Sequence, residues 1–194
     1  MLAVLQAVST RLAEGDESLI RIPEICEATG VNYGSVYHHF GSREGVIDAA
    51  YELMFSTMVE EDMSALRTIN ETVGSLEEYI IAMQPLISRL SADEARRGRR
   101  ARRVRIIAAA LTRPELREMI GEAQAHVTEE LTGIARHGQD MGWLRTDISA
   151  RSIAVLVQAV VFGRTLDDVS SDPIPQEEWD ALVTTLFAGL LTAG

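Results

Sequence analysis

The sequence predicts an all-α protein in which a small N-terminal three-helix unit precedes a larger helical domain. Apolar residues recur at helical spacing along almost all of the 194 residues, and no stretch alternates like a strand. Three segments carry the helix-starting pattern of Ser or Thr three residues before Glu: Ser75 with Glu78, Ser91 with Glu94, and Thr112 with Glu115. Near the N-terminus, Gly30 and Asn32 separate two short helical stretches.

Composition favours a cytoplasmic protein with no membrane partner. The formal net charge is −11, and all 18 basic residues are arginine. Cys26 is the single cysteine, so no internal disulfide can form, which suits a reducing compartment. We expect no signal peptide, because the apolar N-terminal stretch has no basic leader. The most apolar run, residues 153–163, is too short to span a bilayer.

The first three helices are predicted from their apolar faces and their ends. The first carries a stripe of Leu2, Leu5, Val8 and Leu12. The second spans Ile22 to Thr29, and Gly30 follows it where positive φ is needed. Asn32 is a suitable N-cap for the third helix, which turns Val36 and Phe40 toward the second helix.

The outward face of the third helix is polar and aromatic in a way that packing does not require. It carries Tyr33, Gly34, Ser35, Tyr37 and His38 at the end where free amides favour phosphate. Gly34 costs about 1 kcal/mol relative to alanine inside a helix, which suggests that something approaches the backbone there. Residues 1–50 have a net charge of −4, yet residues 31–43 contain no acid. A helix-turn-helix that contacts DNA is therefore predicted despite the acidity of the chain.

Arg43 follows Ser42, a plausible N-cap for the fourth helix. A cation in the first turn opposes the helix dipole, and an incoming phosphate would reverse that balance. We favour a phosphate contact; the alternative is an ion pair with Glu44 or Asp48.

The last two helices have more apolar surface than a monomer of this size needs to hide. Residues 150–167 are apolar nearly all round, and residues 179–191 carry a doubled apolar stripe. A helix–helix subunit interface is the simplest explanation. The residues predicted to form it are Leu156, Ala159, Val160, Gly163, Leu182, Leu186 and Gly189.

Seven arginines between residues 96 and 105 are interpreted first as a solvated, salt-bridged segment. A contact with DNA phosphate or with an acidic effector is the alternative, in which Arg105 would reach the interior. The histidines form no metal site by their spacing, and a surface pair of His126 with Glu130 is favoured over a metal. No catalytic triad, metal-ligand set or glycine-rich phosphate loop is present, so we predict no enzyme activity, no metal and no cofactor.

From Ile22 to Ile47 the sequence reads IPEICEATGVNYGSVYHHFGSREGVI, and this pattern resembles the TetR family of transcriptional regulators. The pair Tyr37 and Phe40, followed by Ser42 and Arg43, is its most specific part. The resemblance implies a DNA-binding domain at residues 1–48 and an effector-binding and dimerisation domain at residues 49–194. It also implies a homodimer that represses from a palindromic operator until a small apolar or amphipathic effector binds.

The resemblance further assigns the DNA contacts. Tyr33, Ser35 and His38 would face base edges or nearby phosphates, Tyr37 and Arg43 would hold the backbone, and Asn32 would begin the recognition helix, with Gly34 close to the DNA. Effector candidates are polar or large apolar residues beside the apolar stripes: Tyr79, Met83, Arg105, Met119, Gln124, Trp143, Gln158 and Phe162.

Two other hypotheses remain at the level of sequence. An all-helical carrier or enzyme could retain a vestigial helix-turn-helix, and an adaptor could use the acidic surface and the C-terminal helices. The polar-aromatic face at residues 33–38 argues against the adaptor.

Overall fold

A computed structural model describes residues 1–14, 17–81 and 94–191 of the chain. These residues form helices joined by short turns, as the sequence predicts. The helices are α1 (Leu2–Glu14), α2 (Ile22–Thr29), α3 (Tyr33–Phe40), α4 (Arg43–Thr72), α5 (described over residues 76–81), α6 (Glu94–Thr112), α7 (Pro114–Asp140), α8 (Ala150–Asp168) and α9 (Gln176–Ala188). A single 3₁₀ turn, Glu17–Leu19, lies between α1 and α2.

The chain divides into two compact units. Unit 1 comprises residues 1–60 and 105–123, and unit 2 comprises residues 61–104 and 124–194. The predicted DNA-binding segment, residues 1–48, lies wholly in unit 1, which also takes in the first part of α4 and the junction of α6 with α7.

The core of unit 1 forms where the first four helices bury their apolar faces. α1 buries Val4, Val8 and Leu12, which are four residues apart and share one face. Leu2, which the sequence placed in this stripe, is exposed because it lies on the other side of the helix. The remaining fully buried positions on α2, α3 and α4 are Ile22, Ile25, Val36, Val46, Ile47, Ala50 and Phe55.

Unit 2 has a core cluster of Ala135, Leu144, Ala150, Ile153 and Leu190. It also buries a charge, because Arg164 on α8 is only 1% exposed. The Arg164 guanidinium donates to Asp167 at 2.6 Å, and its carbon lies 4.7 Å from the centre of the Trp179 ring. An ion pair and a cation–π contact therefore compensate the buried arginine.

The three predicted capping boxes have different outcomes. Before α5, the Ser75 hydroxyl accepts from the Glu78 amide at 3.2 Å, which confirms the N-cap. Ser91 lies outside the described residues. The Thr112 cap is wrong: α6 continues to Thr112, whose hydroxyl donates to the Ala109 carbonyl, and α7 begins at Pro114. Proline suits a first helical turn because it lacks the amide that would otherwise be unpaired.

Within the described ranges, no helix is both long enough and apolar enough to cross a membrane.

Candidate DNA-binding site

The turn between α2 and α3 is built as the sequence predicts. Gly30 ends α2 with φ of 68°, a left-handed conformation that costs glycine little. The amide of Val31 returns to the Cys26 carbonyl at 3.2 Å, which closes the end of α2. The Asn32 side chain accepts from the Ser35 amide at 3.2 Å and caps α3. These bonds fix the direction in which α3 leaves α2.

The predicted contact residues of α3 are accessible. Asn32, Tyr33, Gly34, Ser35 and His38 are exposed, whereas Tyr37 is half-buried. Val36 on the opposite face is fully buried and anchors the helix to unit 1. The exposed side chains are therefore displayed on a helix whose position is set by its buried face.

The structure gives Gly34 a packing role beside the predicted close approach of DNA. A Cβ at this position would lie 3.1 Å from the side-chain oxygen of Asn32, tighter than an ordinary contact. A larger residue would therefore crowd the oxygen that caps α3. A Cβ here would require the Asn32 side chain to shift by a few tenths of an ångström.

Arg43 is already engaged within unit 1. Its Nε donates to the Ile20 carbonyl at 3.2 Å, and one terminal nitrogen donates to the Glu17 carbonyl at 2.5 Å. The other terminal nitrogen lies 3.4 Å from the Glu44 carboxylate. The ion pair with Glu44, one of the alternatives that the sequence left open, is thus present. Asp48, the other alternative, pairs with Arg113. The phosphate contact of Arg43 stays a prediction. Ser42 caps α4 as predicted, by accepting from the Gly45 amide at 3.0 Å.

An ionic network that sequence reasoning missed holds the turn before α2. Arg113, between α6 and α7, donates to both oxygens of the Glu17 carboxylate at 2.5 and 2.7 Å, and to Asp48 at 2.7 Å. The Tyr51 hydroxyl lies 3.2 Å from the same Glu17 carboxylate. Burial, and then the neighbouring Glu17 charge, raise the pKa of Tyr51 to about 12. The residues lie far apart in the chain, so no local pattern could have indicated the network.

The part of the arginine-rich run in unit 2 is salt-bridged, as the first interpretation predicts, but Arg100 is buried and not solvated. Arg99 and Arg103 both reach Asp62, at 2.9 and 3.0 Å. Arg100 binds both oxygens of Asp168 at 2.6 Å each, with little of either side chain exposed. These contacts join α6 to α4 and to α8.

The effector candidates that the structure describes are divided between the two units. Tyr79 and Trp143 are buried in unit 2 with ring centroids 5.4 Å apart. Gln124 donates to Gln158, which lies on α8 in the same unit. The other four candidates are placed differently: Arg105 donates to the Leu12 carbonyl within unit 1, Met119 also lies in unit 1, Phe162 is exposed on α8, and Met83 is outside the described residues.

A concavity of about 300 Å³ lies between α4 and α7 in unit 2. Its lining residues are Arg67, His126, Glu129, Glu130, Gly133 and Ile134. None of the predicted effector residues that the structure describes lines it. His126 and Glu130 lie 3.6 Å apart, which matches the surface pair that the sequence favoured over a metal site. Among the described residues, no group of three or more metal-ligating side chains comes together.

The predicted subunit-contact residues divide into exposed and inward-facing sets. Ala159, Leu182, Leu186 and Gly189 are exposed. Leu156 packs against the core cluster of unit 2, and Val160 and Gly163 are half-buried. The exposed apolar stripe of α8 instead runs through Val155, Ala159, Phe162 and Leu166, and Val169 just after the helix is also exposed. Most of the residues predicted for the subunit contact on α8 therefore lie about one position along the helix from the exposed residues.

Comparison with known proteins agrees with the geometry of the N-terminal helices. The sequence model of the family described as bacterial regulatory proteins, tetR family, matches residues 20–50. The HTH-type transcriptional regulator UidR of Escherichia coli strain K12 is 23% identical over 190 residues, covering 98% of this chain and 92% of UidR.

Two solved structures share the fold. Salmonella enterica GusR superposes with a TM-score of 0.69 at 22% identity, covering 99% of this chain and 95% of GusR. A Saccharomonospora viridis protein in complex with choline superposes with a TM-score of 0.72 at 14% identity, covering 98% and 97% of the two chains.

The family match covers α2, α3 and the start of α4, the elements that display the candidate contact residues. UidR, a transcriptional regulator, is similar to this chain along nearly its whole length. Residues 20–50 thus match the TetR family of bacterial regulatory proteins, and the rest of the chain has the all-helical fold of the two solved structures.

Proposed function

We propose that the chain acts as a homodimeric repressor that binds a palindromic operator in double-stranded DNA and leaves it when a small effector binds. Residues 1–48 serve as the DNA-binding domain, and residues 49–194 bind the effector and form the dimer. The observation that carries the proposal is the exposed end of α3. It presents polar and aromatic side chains on a segment without acids, in a chain whose net charge is −11.

On DNA, the first turn of α3 enters the major groove. Tyr33, Ser35 and His38 face the bases, and the amides at the start of the helix meet phosphate. Tyr37 and Arg43 contact the backbone. Because Arg43 also binds the carbonyls of Glu17 and Ile20, it joins the connection before α2 to the start of α4. A phosphate contact by Arg43 would therefore be made from a side chain that is already held in place.

The dimer forms through the exposed apolar faces of α8 and α9. Val155, Phe162 and Leu166 are spaced seven and four residues apart and so share one face of α8, and exposed Val169 follows directly after the helix. Leu182 and Leu186 are exposed on α9. Exposed apolar helix faces of this kind are typical of a subunit contact. Two copies also match the two-fold symmetry of a palindromic operator.

The effector binds in unit 2, where polar groups lie among buried apolar residues. Gln158 donates to the Thr128 hydroxyl at 3.3 Å and to the Ala154 carbonyl at 3.1 Å. Tyr79 and Trp143 supply aromatic surface in the same unit. Apolar surroundings with a few polar groups suit a small apolar or amphipathic molecule. The choline complex of the Saccharomonospora viridis protein supports a small organic ligand for this fold.

Selection of bound sequences from random DNA, followed by salt titration, tests the proposal. We expect a palindromic site and an affinity that falls steeply as salt is added. Arg43→Ala should weaken binding to all sequences alike, whereas Ser35→Ala and His38→Ala should change base preference. Absence of any enriched sequence at low salt would contradict the proposal.

The dimer contact is tested by sedimentation of a charged variant. Leu166, which is 79% exposed, is replaced by Glu; Leu111→Glu is the matched control, since Leu111 is 65% exposed but lies on α6 in unit 1. We expect Leu166→Glu to dissociate the dimer and Leu111→Glu to leave it intact. Equal behaviour of the two variants would argue against the α8 face.

A further inference from the structure

The recognition helix lacks the side chains that read guanine and adenine by paired hydrogen bonds. α3 has the sequence YGSVYHHF, with no Arg, Lys, Gln or Asn. Asn32, just before it, uses its side-chain oxygen to cap the helix. Bidentate contact to guanine needs Arg or Lys, and bidentate contact to adenine needs Asn or Gln. Sequence discrimination by α3 must therefore use single hydrogen bonds and apolar contacts.

The strongly basic side chain nearest to α3 in sequence does not fill this gap. Arg43 directs two of its nitrogens to the carbonyls of Ile20 and Glu17, on the connection between α1 and α2. Its remaining terminal nitrogen lies 3.4 Å from Glu44. These contacts hold the guanidinium within unit 1, so its fork is not available to a guanine edge.

What α3 offers instead is a pair of aromatic rings. Tyr33 and Tyr37 are one helical turn apart, with ring centroids separated by 4.6 Å and ring planes inclined at 38°. The hydrogen bond that the Tyr37 hydroxyl donates to Tyr33, followed by burial, raises the pKa of Tyr37 above the ordinary tyrosine value. Tyr33 is 46% exposed, and Tyr37 is half-buried behind it. Tyr37 thus supports Tyr33, whose ring and edge are left open at the end of the helix that enters the groove.

We propose that Tyr33 reads thymine by packing its ring against the C5-methyl group in the major groove, with Tyr37 as the positioning residue that fixes the Tyr33 ring. The methyl group distinguishes thymine from every other DNA base in that groove, and apolar side chains recognise it by contact. This inference rests on the proposed DNA-binding function. It adds that each operator half-site places a thymine opposite Tyr33.

Deoxyuridine substitution tests the inference, because it removes the methyl group and keeps the base pair. In the selected operator, each thymine is replaced singly and the dissociation constant is measured. We expect one or two positions per half-site at which affinity falls roughly fourfold, the effect of burying one methyl group. Where cytosine replaces that thymine, 5-methylcytosine should bind more tightly than cytosine by a similar factor.

Variants then connect the methyl group to its reader. In Tyr33→Ala, measured at low salt where phosphate contacts sustain binding, thymine and deoxyuridine operators should bind equally. Tyr33→Phe keeps the ring and should keep the fourfold ratio. Tyr37→Ala should reduce the ratio, and Tyr37→Phe should restore it, which a loss of folding would not produce.

Two failures have different meanings. If the wild-type protein binds a selected operator but no deoxyuridine changes its affinity, or if the ratio persists in Tyr33→Ala, thymine reading by Tyr33 is wrong and the proposed function stands. If no operator can be selected, the proposed function fails and this inference fails with it.

Discussion

Replacing Arg113 by Met is expected to destabilise the chain through the ionic network at the turn before α2. Arg113 is the cation shared by two carboxylates: it binds Glu17 through both oxygens and Asp48 through one. Its guanidinium carbon also lies 5.9 Å from the centre of the Tyr51 ring. Methionine keeps much of the length and apolar stem of arginine, so the change removes mainly the charge and its hydrogen bonds.

The magnitude follows from the burial of the partners. Removing one member of a fully buried ion pair costs about 3–5 kcal/mol. The side chains of Arg113 and Glu17 are 26% and 25% exposed, so solvent screens part of this loss, whereas Asp48 is only 11% exposed. We therefore expect a loss of about 2–3 kcal/mol in the free energy of unfolding. For a chain of this length that corresponds to a Tm lower by roughly 4–12 °C.

Urea unfolding followed by circular dichroism, at one protein concentration, measures this loss. Arg151→Ala is the matched control, because Arg151 is exposed at the start of α8, and it should change stability by no more than about 0.5 kcal/mol. A double-mutant cycle with Asp48→Asn should show a coupling of about 1 kcal/mol or more. If Arg113→Met behaves like Arg151→Ala, or if the two changes simply add, the network does not stabilise the fold.

Three further outcomes are expected. The pKa of Tyr51 is about 12 in the folded chain and 10.0 ordinarily. Below pH 10 the hydroxyl is protonated in both the folded and the unfolded state, so the stabilisation that comes from this pKa shift is fully present. As pH rises from about 10 to 12, the unfolded state loses the Tyr51 proton first, so the free energy of unfolding falls. Tyr51→Phe should therefore show a shallower fall in urea titrations across that range. An equally steep fall in this variant would contradict the reasoning. Arg100→Met should lower the free energy of unfolding by about 3 kcal/mol, because the buried Asp168 loses this partner. Adding Asp168→Leu should recover most of that loss in the same urea assay. An Arg100→Met variant as stable as the wild type would show that the pair is dispensable. Gly30→Ala should lower the stability measured by thermal unfolding by about 1–2 kcal/mol, and Gly30→Asn should lower it less. The reason is that a Cβ at this position meets nothing within 4 Å, so that only the positive φ is penalised. Equal losses for the two variants would point to packing instead.

The local features of the helix-turn-helix could be predicted because they depend on neighbours in the chain. Gly30 and Asn32 act through hydrogen bonds that span three to five residues, and their roles are as the sequence predicts. The buried face of α3 followed from helical spacing, which places Val36 opposite the exposed end. The all-helical fold was predictable for the same reason, since period and capping are local properties.

The contacts of the charged side chains could not be predicted in this way. Arg43 has backbone carbonyls as partners, which no sequence pattern identifies. The effector candidates were chosen by residue type, and the structure assigns Arg105 and Met119 to unit 1 but Tyr79 to unit 2. On α8, an apolar residue at nearly every position left the exposed face undetermined, so the prediction included Leu156, which packs against the core of unit 2, and omitted Leu166, which is exposed.

The sequence by itself determined the all-helical fold, the turn between α2 and α3, and the acid-free exposed face at the start of α3. Helix formation, capping and amphipathic spacing act over a few residues, and each leaves a local pattern. Only the tertiary structure decided that Arg113 joins Glu17 to Asp48, and that Arg164 is buried against Trp179. The physical reason is that a long charged side chain can reach any acid or ring that folding brings within a few ångströms. Its partner is therefore a property of the packed chain.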